Sequence, residues 1–486
     1  MGERKIKYRS NSFSFKAKRK IGYLAIGSLL LSACGSTAAA ATTNTKSSLP
    51  SGFPTSWKQY GGNSLHNAAF SNSSNSKAYS WNFAEASALP LTAPAKDQSV
   101  LGAKNAPVKT TQDLGNSVGV SAVNGIIYSE SDMGYIYALN AATGKQIWRA
   151  HGNNAFMGNP VVAHGVVVAG SGDTGFSFTQ VLNMLHKKPM VRGLGWASIY
   201  GFNAKTGKKM WSVPTKGEDM ASLAEKNGVV YEGTGGGHII AINITSGKVL
   251  WKTTVGGFDS MSSAAVSGNT VVLGFTNPNY LIAVNAKTGA VIWKQTVAGI
   301  ANTGIGDNSP SIDAAKGLVF QDSVVNANPK TKTMNLEVFA TNLKTGKLVW
   351  QQKLGRGPVP PAYKAGITMV HNGTVYVGTP NLSTFFALNE TTGAIKWSYK
   401  ILGAGPAGAG RGGATFYHGI VWLAAGKNIY ALNPTNGSLL GKYVGGGRYG
   451  IVNPVIVGAT MYLGNSWGWT QAIPLSKIYP NWKNTP

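Results

Sequence analysis

One phrase recurs seven times along this chain of 486 residues: a short apolar run ending in Asn, then Thr-Gly-Lys or a close variant, then Trp four residues after the Gly. The glycines are Gly144, Gly207, Gly247, Gly289, Gly346, Gly393 and Gly437, spaced by 63, 40, 42, 57, 47 and 44 residues. The matching tryptophans are Trp148, Trp211, Trp251, Trp293, Trp350 and Trp397, and Gly441 stands where a seventh would fall. A period in the forties built from strand–turn–strand units leaves a solenoid or a propeller as the fold.

The unit spanning 261–293 displays the internal order. Ser262–Val266 reads as a strand, Ser267-Gly268-Asn269 as a turn, Val271–Leu273 and Tyr280–Asn285 as two more strands, and a tight turn at Gly289 leads to a fourth strand ending at Trp293. Asn and Gly supply the backbone angles such hairpins need. Four antiparallel strands per unit make a propeller blade, and the regular Trp is expected to fill the wedge between neighbouring blades. The chain is therefore predicted to be all-β, an eight-bladed β-propeller of four-stranded antiparallel blades over 57–486. The eighth unit, 449–475, holds only three strands. Its fourth is expected from the N-terminal side, at Trp57–Tyr60 or at Tyr79–Phe83, which would close the ring and remove its open edges. An insertion at 173–196 in blade 2 carries an apolar stretch, Phe178–Leu185, that reads as a short helix. A lid or a subunit contact are its two readings, and its exposed apolar character favours the contact.

Residues 1–33 read as a signal peptide: a basic start, then an apolar run, Ile21–Leu31, too short to span a membrane comfortably. Leu31-Ser32-Ala33-Cys34 matches a lipobox, so Cys34 is expected to carry lipid and attach the protein to a membrane; cleavage near Ala38–Ala41, which discards Cys34, is the alternative. Residues 34–56 read as a flexible tether. Both routes place the chain outside the cytoplasm, in the periplasm or at the outer membrane or cell surface. Cys34 is the sole cysteine, which excludes a disulfide, a thiolate-bound metal and c-type haem. The seven histidines lack metal-ligand spacing, and no phosphate loop or nucleotide fingerprint is present, so no metal and no cofactor is expected.

Lys and Arg number 44 against 17 Asp and Glu. In an exported protein that excess points away from nucleic acid and toward an anionic substrate or surface. The scarcity of carboxylates also points to acid tolerance, since acid denaturation works mainly by protonating carboxylates whose ionised form stabilises the fold.

Aligning the units on their first hairpin glycine (Gly125, Gly165, Gly228, Gly268, Gly317, Gly373, Gly419, Gly458) locates the loops leading into the inner strands, which meet at one face of a propeller. Nine or ten residues upstream stand Asp219, Asp259 and Asp307 in blades 3, 4 and 5. Lys364, Arg411 and Arg448 stand at or beside the same place in blades 6, 7 and 8, with Arg356 expected in the same loop as Lys364 and Tyr449 beside Arg448. The mouth of the ring is thus expected to be acidic along one arc and basic along the other. An Asp at such a place also serves as a turn cap, and the arginines also read as solvated surface groups. The Gly-Arg contexts put planar double donors on closely approaching backbone, which suits sulfonate-like or carboxylate groups. Asp322 is expected to end the second strand of blade 5, where other blades have Gly170, Gly233, Gly274 and Gly378, and so to face the same mouth as Asp307. Either carboxyl is a candidate acid or base.

The blade phrase and the opening Trp57-Lys58-Gln59-Tyr60-Gly61-Gly62-Asn63 resemble the repeats of the pyrroloquinoline-quinone propeller superfamily, over about 55–475. That superfamily includes quinoprotein alcohol dehydrogenases, the BamB-type outer-membrane assembly scaffold and the tetrathionate hydrolases of acidophilic sulfur oxidisers. The chain lacks the adjacent cysteine pair that the quinoproteins carry beside the quinone. A BamB-type scaffold matches a lipoprotein with eight blades but leaves the basic crown and the blade 2 insertion unexplained. In size, charge and export the chain is most similar to the tetrathionate hydrolases. The resemblance implies an extracytoplasmic, acid-active, dimeric enzyme that splits tetrathionate with water into thiosulfate, sulfate and sulfur without a quinone. For such a substrate, the aligned mouth positions make Arg411, Arg448, Arg356 and Lys364, with Asp259 and Tyr449, the expected ligands of the small dianion, and Asp307 first and Asp322 second the expected groups that handle the proton.

Overall fold

The computed structural model describes residues 57–70, 77–85, 119–131, 133–172, 183, 188, 190–193, 197–300, 305–359, 365–402, 412–449, 452–465 and 468–484. Eight sheets follow one another along the chain as the blades of a propeller. Blade 4 is representative: Ala265–Ser267, Thr270–Phe275, Tyr280–Asn285 and Val291–Gln295 pair in sequence order, each antiparallel to the last. The second and third strands are buried throughout, whereas the outermost strand alternates between exposed and covered residues. Both faces of the middle strands pack on neighbouring blades, so only the rim reads as amphipathic.

The repeated phrase is the latch between blades. The Asn side chain caps the tight turn: Asn285 Oδ1 accepts the backbone N–H of Lys287 at 2.9 Å and of Thr288 at 3.1 Å. The indole of the preceding blade's Trp then donates to the carbonyl just after that Asn. Trp251 reaches Ala286, Trp293 reaches Leu343 and Trp350 reaches Glu390, each at 2.9 Å. The turn glycine lies flat on the same ring. At Gly437, φ is +73° and an added Cβ would sit 2.4 Å from the Trp397 ring, so both backbone and space demand Gly. Trp397→Phe keeps the burial and deletes the N–H to the Pro434 carbonyl (2.8 Å). A loss of about 1–2 kcal/mol is expected in urea unfolding, with the slope unchanged.

The missing seventh Trp has a physical reason. At Gly441 a Cβ would meet the Ile478 carbonyl at 2.1 Å, because the C-terminal turn Leu475–Ile478 lies in the space a Trp would fill. The eighth latch comes from the N-terminal side. Trp81–Ala84 pairs antiparallel with Trp469–Pro474 as the outer strand of blade 8, and Trp81 donates to Ala141 of blade 1 at 2.9 Å. Of the two expected closures, the one at Phe83 is therefore observed.

The other segment, beginning at Trp57, crosses the inner strands. It bonds to Ala122 of blade 1, Val162 of blade 2, Glu225 of blade 3, Val266 of blade 4, Ile312 of blade 5 and Phe416 of blade 7. Its last two residues, Ala69–Phe70, pair parallel with Thr415–Tyr417. This parallel pair is added at the inner edge of blade 7, whose own strands pair antiparallel like those of the other blades. A segment bonded to six inner strands crosses the middle of the ring.

Blade 5 also departs from expectation. Its strands are long: Leu318–Asn328, Thr333–Asn342 and Leu348–Pro358. Asp322 lies inside the second strand, opposite Val338, rather than at its end. Arg356 lies in the outer strand, opposite Asn335, rather than in the loop leading into blade 6. The expected signal peptide, the tether and Cys34 lie outside the described residues. So does the predicted helix Phe178–Leu185, apart from Asn183.

Candidate functional site

Ten of the twelve described Asp and Glu residues are buried: Glu85, Glu130, Glu218, Asp219, Glu232, Asp259, Asp307, Asp322, Glu337 and Glu390. Carboxylates are ordinarily surface groups. Here most of them gather where the loops leading into the inner strands pass over the previous blade.

That crossing explains the recurring glycine. The carbonyl of Asp219 would lie 2.4 Å from a Cβ on Gly170, Asp259 Oδ2 2.1 Å from one on Gly233, and the Ile305 carbonyl 2.1 Å from one on Gly274. Two blades place a carboxylate there instead and turn the crossing into a bond. Gly158 donates its N–H to Glu130 Oε2 at 2.6 Å, and Gly366 donates to Asp322 Oδ2 at 2.8 Å. Ser hydroxyls tie the same loops to one another: Ser222 accepts from Asn159 N, Ser263 from Ser222 N and Ser309 from Ser263 N, at 2.7–3.0 Å. The acidic arc is held by backbone N–H groups and short hydroxyl side chains of the neighbouring loops.

The members of the arc differ in their partners. Asp259 Oδ1 accepts from Ser262 N at 2.9 Å, a turn cap, while its other oxygen has no hydrogen bond. Asp219 accepts from the Thr215 hydroxyl. Neither oxygen of Glu232 has a hydrogen-bond partner. Asp307, in the short turn Ile305–Asp307, accepts from the Ser260 hydroxyl at 2.6 Å. Ser260 in turn accepts from Arg192, whose guanidinium lies 2.6 Å from Glu218 Oε1 and 3.7 Å from Asp307 Oδ1.

Burial sets the protonation of this arc. It pushes Glu130 up to about 8, with the N–H of Gly158 opposing and the charge of Glu85 adding. It pushes Asp322 up to about 7 against the pull of the Gly366 N–H. Asp219, Glu232 and Asp259 are driven well above the ordinary range, first by burial and then in part by the charge of neighbouring carboxylates: Glu218 on Asp219, Asp219 and Asp259 on Glu232, and Glu218 and Asp307 on Asp259. In acid these groups are neutral and act as hydrogen-bonding acids.

The structure brings Asp219, Asp259 and Asp307 together as the sequence alignment expects. Arg356 is exposed, and its guanidinium bonds to Thr333, Asn335 and Asn326 of its own blade at 2.8–3.2 Å. Tyr449 is fully buried in an apolar cluster and donates to Gln471. Arg448 belongs to the strand Leu439–Tyr449. Lys364 and Arg411 lie outside the described residues, so the basic arc remains an expectation. Sequence reasoning missed Glu130 and Glu232, although they stand five and four residues after their hairpin glycines, where the alignment already pointed to Asp322. It also missed Arg192, which no periodicity marks because it belongs to the insertion.

Two relatives align with nearly the whole chain. Tetrathionate hydrolase from Acidithiobacillus ferrooxidans is 40% identical over 436 residues, covering 87% of each chain. Tetrathionate hydrolase from Acidianus ambivalens is 37% identical over 460 residues, covering 88% of this chain and 86% of that one. The chain belongs to the tetrathionate hydrolase family. That family sits within the pyrroloquinoline-quinone-type repeat propellers, since the repeat family described as outer membrane protein assembly factor BamB matches residues 83–183, 195–328 and 331–450. Solved structures agree on the fold alone. BamB from Moraxella catarrhalis superposes with a TM-score of 0.53 at 15% identity over 75% of this chain and 97% of its own. A quinohemoprotein alcohol dehydrogenase from Pseudomonas putida does so with 0.56 at 13% identity over 87% of this chain and 81% of its own.

Proposed function

We propose that this chain is an acid-active hydrolase, working outside the cytoplasm, that splits tetrathionate with water. One tetrathionate and one water give thiosulfate, elemental sulfur, sulfate and two protons, which balances atoms and charge. The fourth oxygen of the sulfate comes from the water, so a base must take the first proton as that oxygen bonds to sulfur and a sulfur–sulfur bond breaks. Asp307 is the first choice for that base. What carries the reading is the identity to two tetrathionate hydrolases over almost the full chain.

The site's chemistry supports it. In acid the neighbouring carboxyls are neutral, so the mouth loses the negative charge that would repel a dianion. They also present O–H donors. Arg411, Arg448 and Lys364 remain the proposed cationic side of the mouth, with attachment through Cys34 and a homodimer as further parts of the proposal. The test is tetrathionate consumption by the purified protein at about pH 3, followed by thiosulfate and sulfate release. Equimolar thiosulfate and sulfate is the expected result; no turnover from acid to neutral pH would end the proposal.

A further inference from the structure

The arc of buried carboxylates holds one arginine among its described residues, and that arginine comes from another blade. Arg192 ends the blade 2 insertion, yet its backbone is clamped onto blade 3. Its N–H donates to Gly235 O at 2.8 Å, and its carbonyl accepts from Glu218 N at 2.9 Å. Gly235 N closes the set by donating to Glu218 O at 2.7 Å. A little earlier in the insertion, the Lys188 carbonyl accepts from Asn277 of blade 4 at 2.9 Å. The tail therefore runs over blades 3 and 4 and delivers a guanidinium to the junction of blades 4 and 5. Only 6% of Arg192 is exposed, so the side chain is built into the wall and cannot sweep solvent for anions.

A buried guanidinium sorts the carboxylates around it. Glu218 and Asp307 form ion pairs with Arg192. Asp259, one residue from Ser260, is capped by backbone and feels Arg192 only at longer range, against the charges of Glu218 and Asp307. Asp322 is tied to the Asp307 turn through its backbone, since the Asn308 amide donates to the Asp322 backbone carbonyl at 2.9 Å, while its carboxyl accepts from Gly366. Among the described residues, no arginine forms an ion pair with Glu130, Asp219 or Glu232. A nearby cation favours the charged form of a carboxylate, while burial without one favours the neutral form.

We infer that Arg192 is the positioning residue for Asp307: acting directly and through the Ser260 hydroxyl, it fixes the rotamer of that carboxyl and, as the adjacent cation, favours its role as a charged acceptor. The inference rests on the reading of Asp307 as the base. It gives Arg192, carried by the described residues 190–193 and clamped onto blade 3, a part in the chemistry.

The experiment compares wild type, Arg192→Gln, Arg192→Lys, Ser260→Ala and Asp307→Asn in tetrathionate turnover from pH 2 to pH 6. Arg192→Gln is expected to lower kcat at least about tenfold, to change KM by less than about threefold, and to move the acid limb of kcat/KM up by about one pH unit. Arg192→Lys keeps a cation and is expected to return the limb toward wild type. Ser260→Ala is expected to lower kcat without moving the limb as far. An unmoved acid limb in Arg192→Gln, with Asp307→Asn inactive, overturns the positioning role and leaves Asp307 as the base. A rise in KM alone makes Arg192 a substrate ligand and also overturns it. A fully active Asp307→Asn removes Asp307 itself as the base. If Arg192→Gln does not fold, the comparison of Arg192→Lys with Ser260→Ala decides: equal pH profiles for both and wild type count against the inference.

Discussion

Heated at a series of pH values, the folded chain is expected to gain stability as the solution is acidified from pH 8 toward pH 4. The sign follows from the buried arc. Glu130 rises from its ordinary 4.5 to about 8 on folding, so the folded state binds a proton that the unfolded chain has released. Below the unfolded value both states are protonated and the contribution is complete; it is lost as pH rises through the folded value. At about 1.4 kcal/mol per pKa unit, Glu130 alone contributes on the order of 4 kcal/mol to the difference. Asp322, which rises from 3.8 to about 7, acts in the same direction, as do Asp219, Glu232 and Asp259. Three imidazoles oppose them. His66 is buried with its pKa lowered from 6.5 to about 4, so its contribution is present above pH 6.5 and declines as pH falls through 4. Burial also lowers His238 and His371, which act in the same sense. The buried carboxyls outweigh the imidazoles, and the expected maximum lies near pH 4. Calorimetry across pH 3–8 checks this, with Glu130→Gln flattening the slope between pH 5 and 8. A maximum at neutral pH with steady loss down to pH 4 would contradict it.

This behaviour was half legible in the chain. Composition alone indicates acid tolerance, because few carboxylates leave little to lose. It does not indicate that ten of the twelve described carboxylates are inside, since charge reads as surface in any pattern based on hydropathy. The propeller was legible because Asn, Gly and Trp each answer a local demand that repeats: a capped turn, a left-handed backbone angle under a ring, a wedge to fill. Where the demand changes the phrase changes, as at Gly441, where the C-terminal turn takes the place of a Trp. The acidic arc was legible through Asp219, Asp259 and Asp307, which share a register. Arg192 was not, because its partners are set by the path of an insertion across two blades, and a path leaves no mark on spacing. Asp322 was found for a sound reason, a carboxylate where Gly recurs, but its bond to Gly366 gives it the same stapling place as Glu130.

That last distinction yields the second large effect. Asp307→Asn is expected to lower turnover of tetrathionate by roughly 10²–10⁴-fold, the range for loss of a positioned general base, with KM changed little. The amide keeps the size of the carboxyl and can still accept from the Ser260 hydroxyl, so folding is expected to survive, and Tm serves as the control. Asp322→Asn is the matched comparison. Its amide oxygen can still accept the Gly366 N–H, and at acid pH the native carboxyl is already neutral, since its pKa is about 7. Exchanging a neutral acid for a neutral amide is expected to leave kcat within about threefold and to remove part of the stability lost between pH 4 and 7. The two variants thus separate a carboxylate that acts through its charge from one that acts through a hydrogen bond. A large loss of kcat in Asp322→Asn, with Asp307→Asn near wild type, would exchange their roles and place the reacting sulfur at the junction of blades 5 and 6.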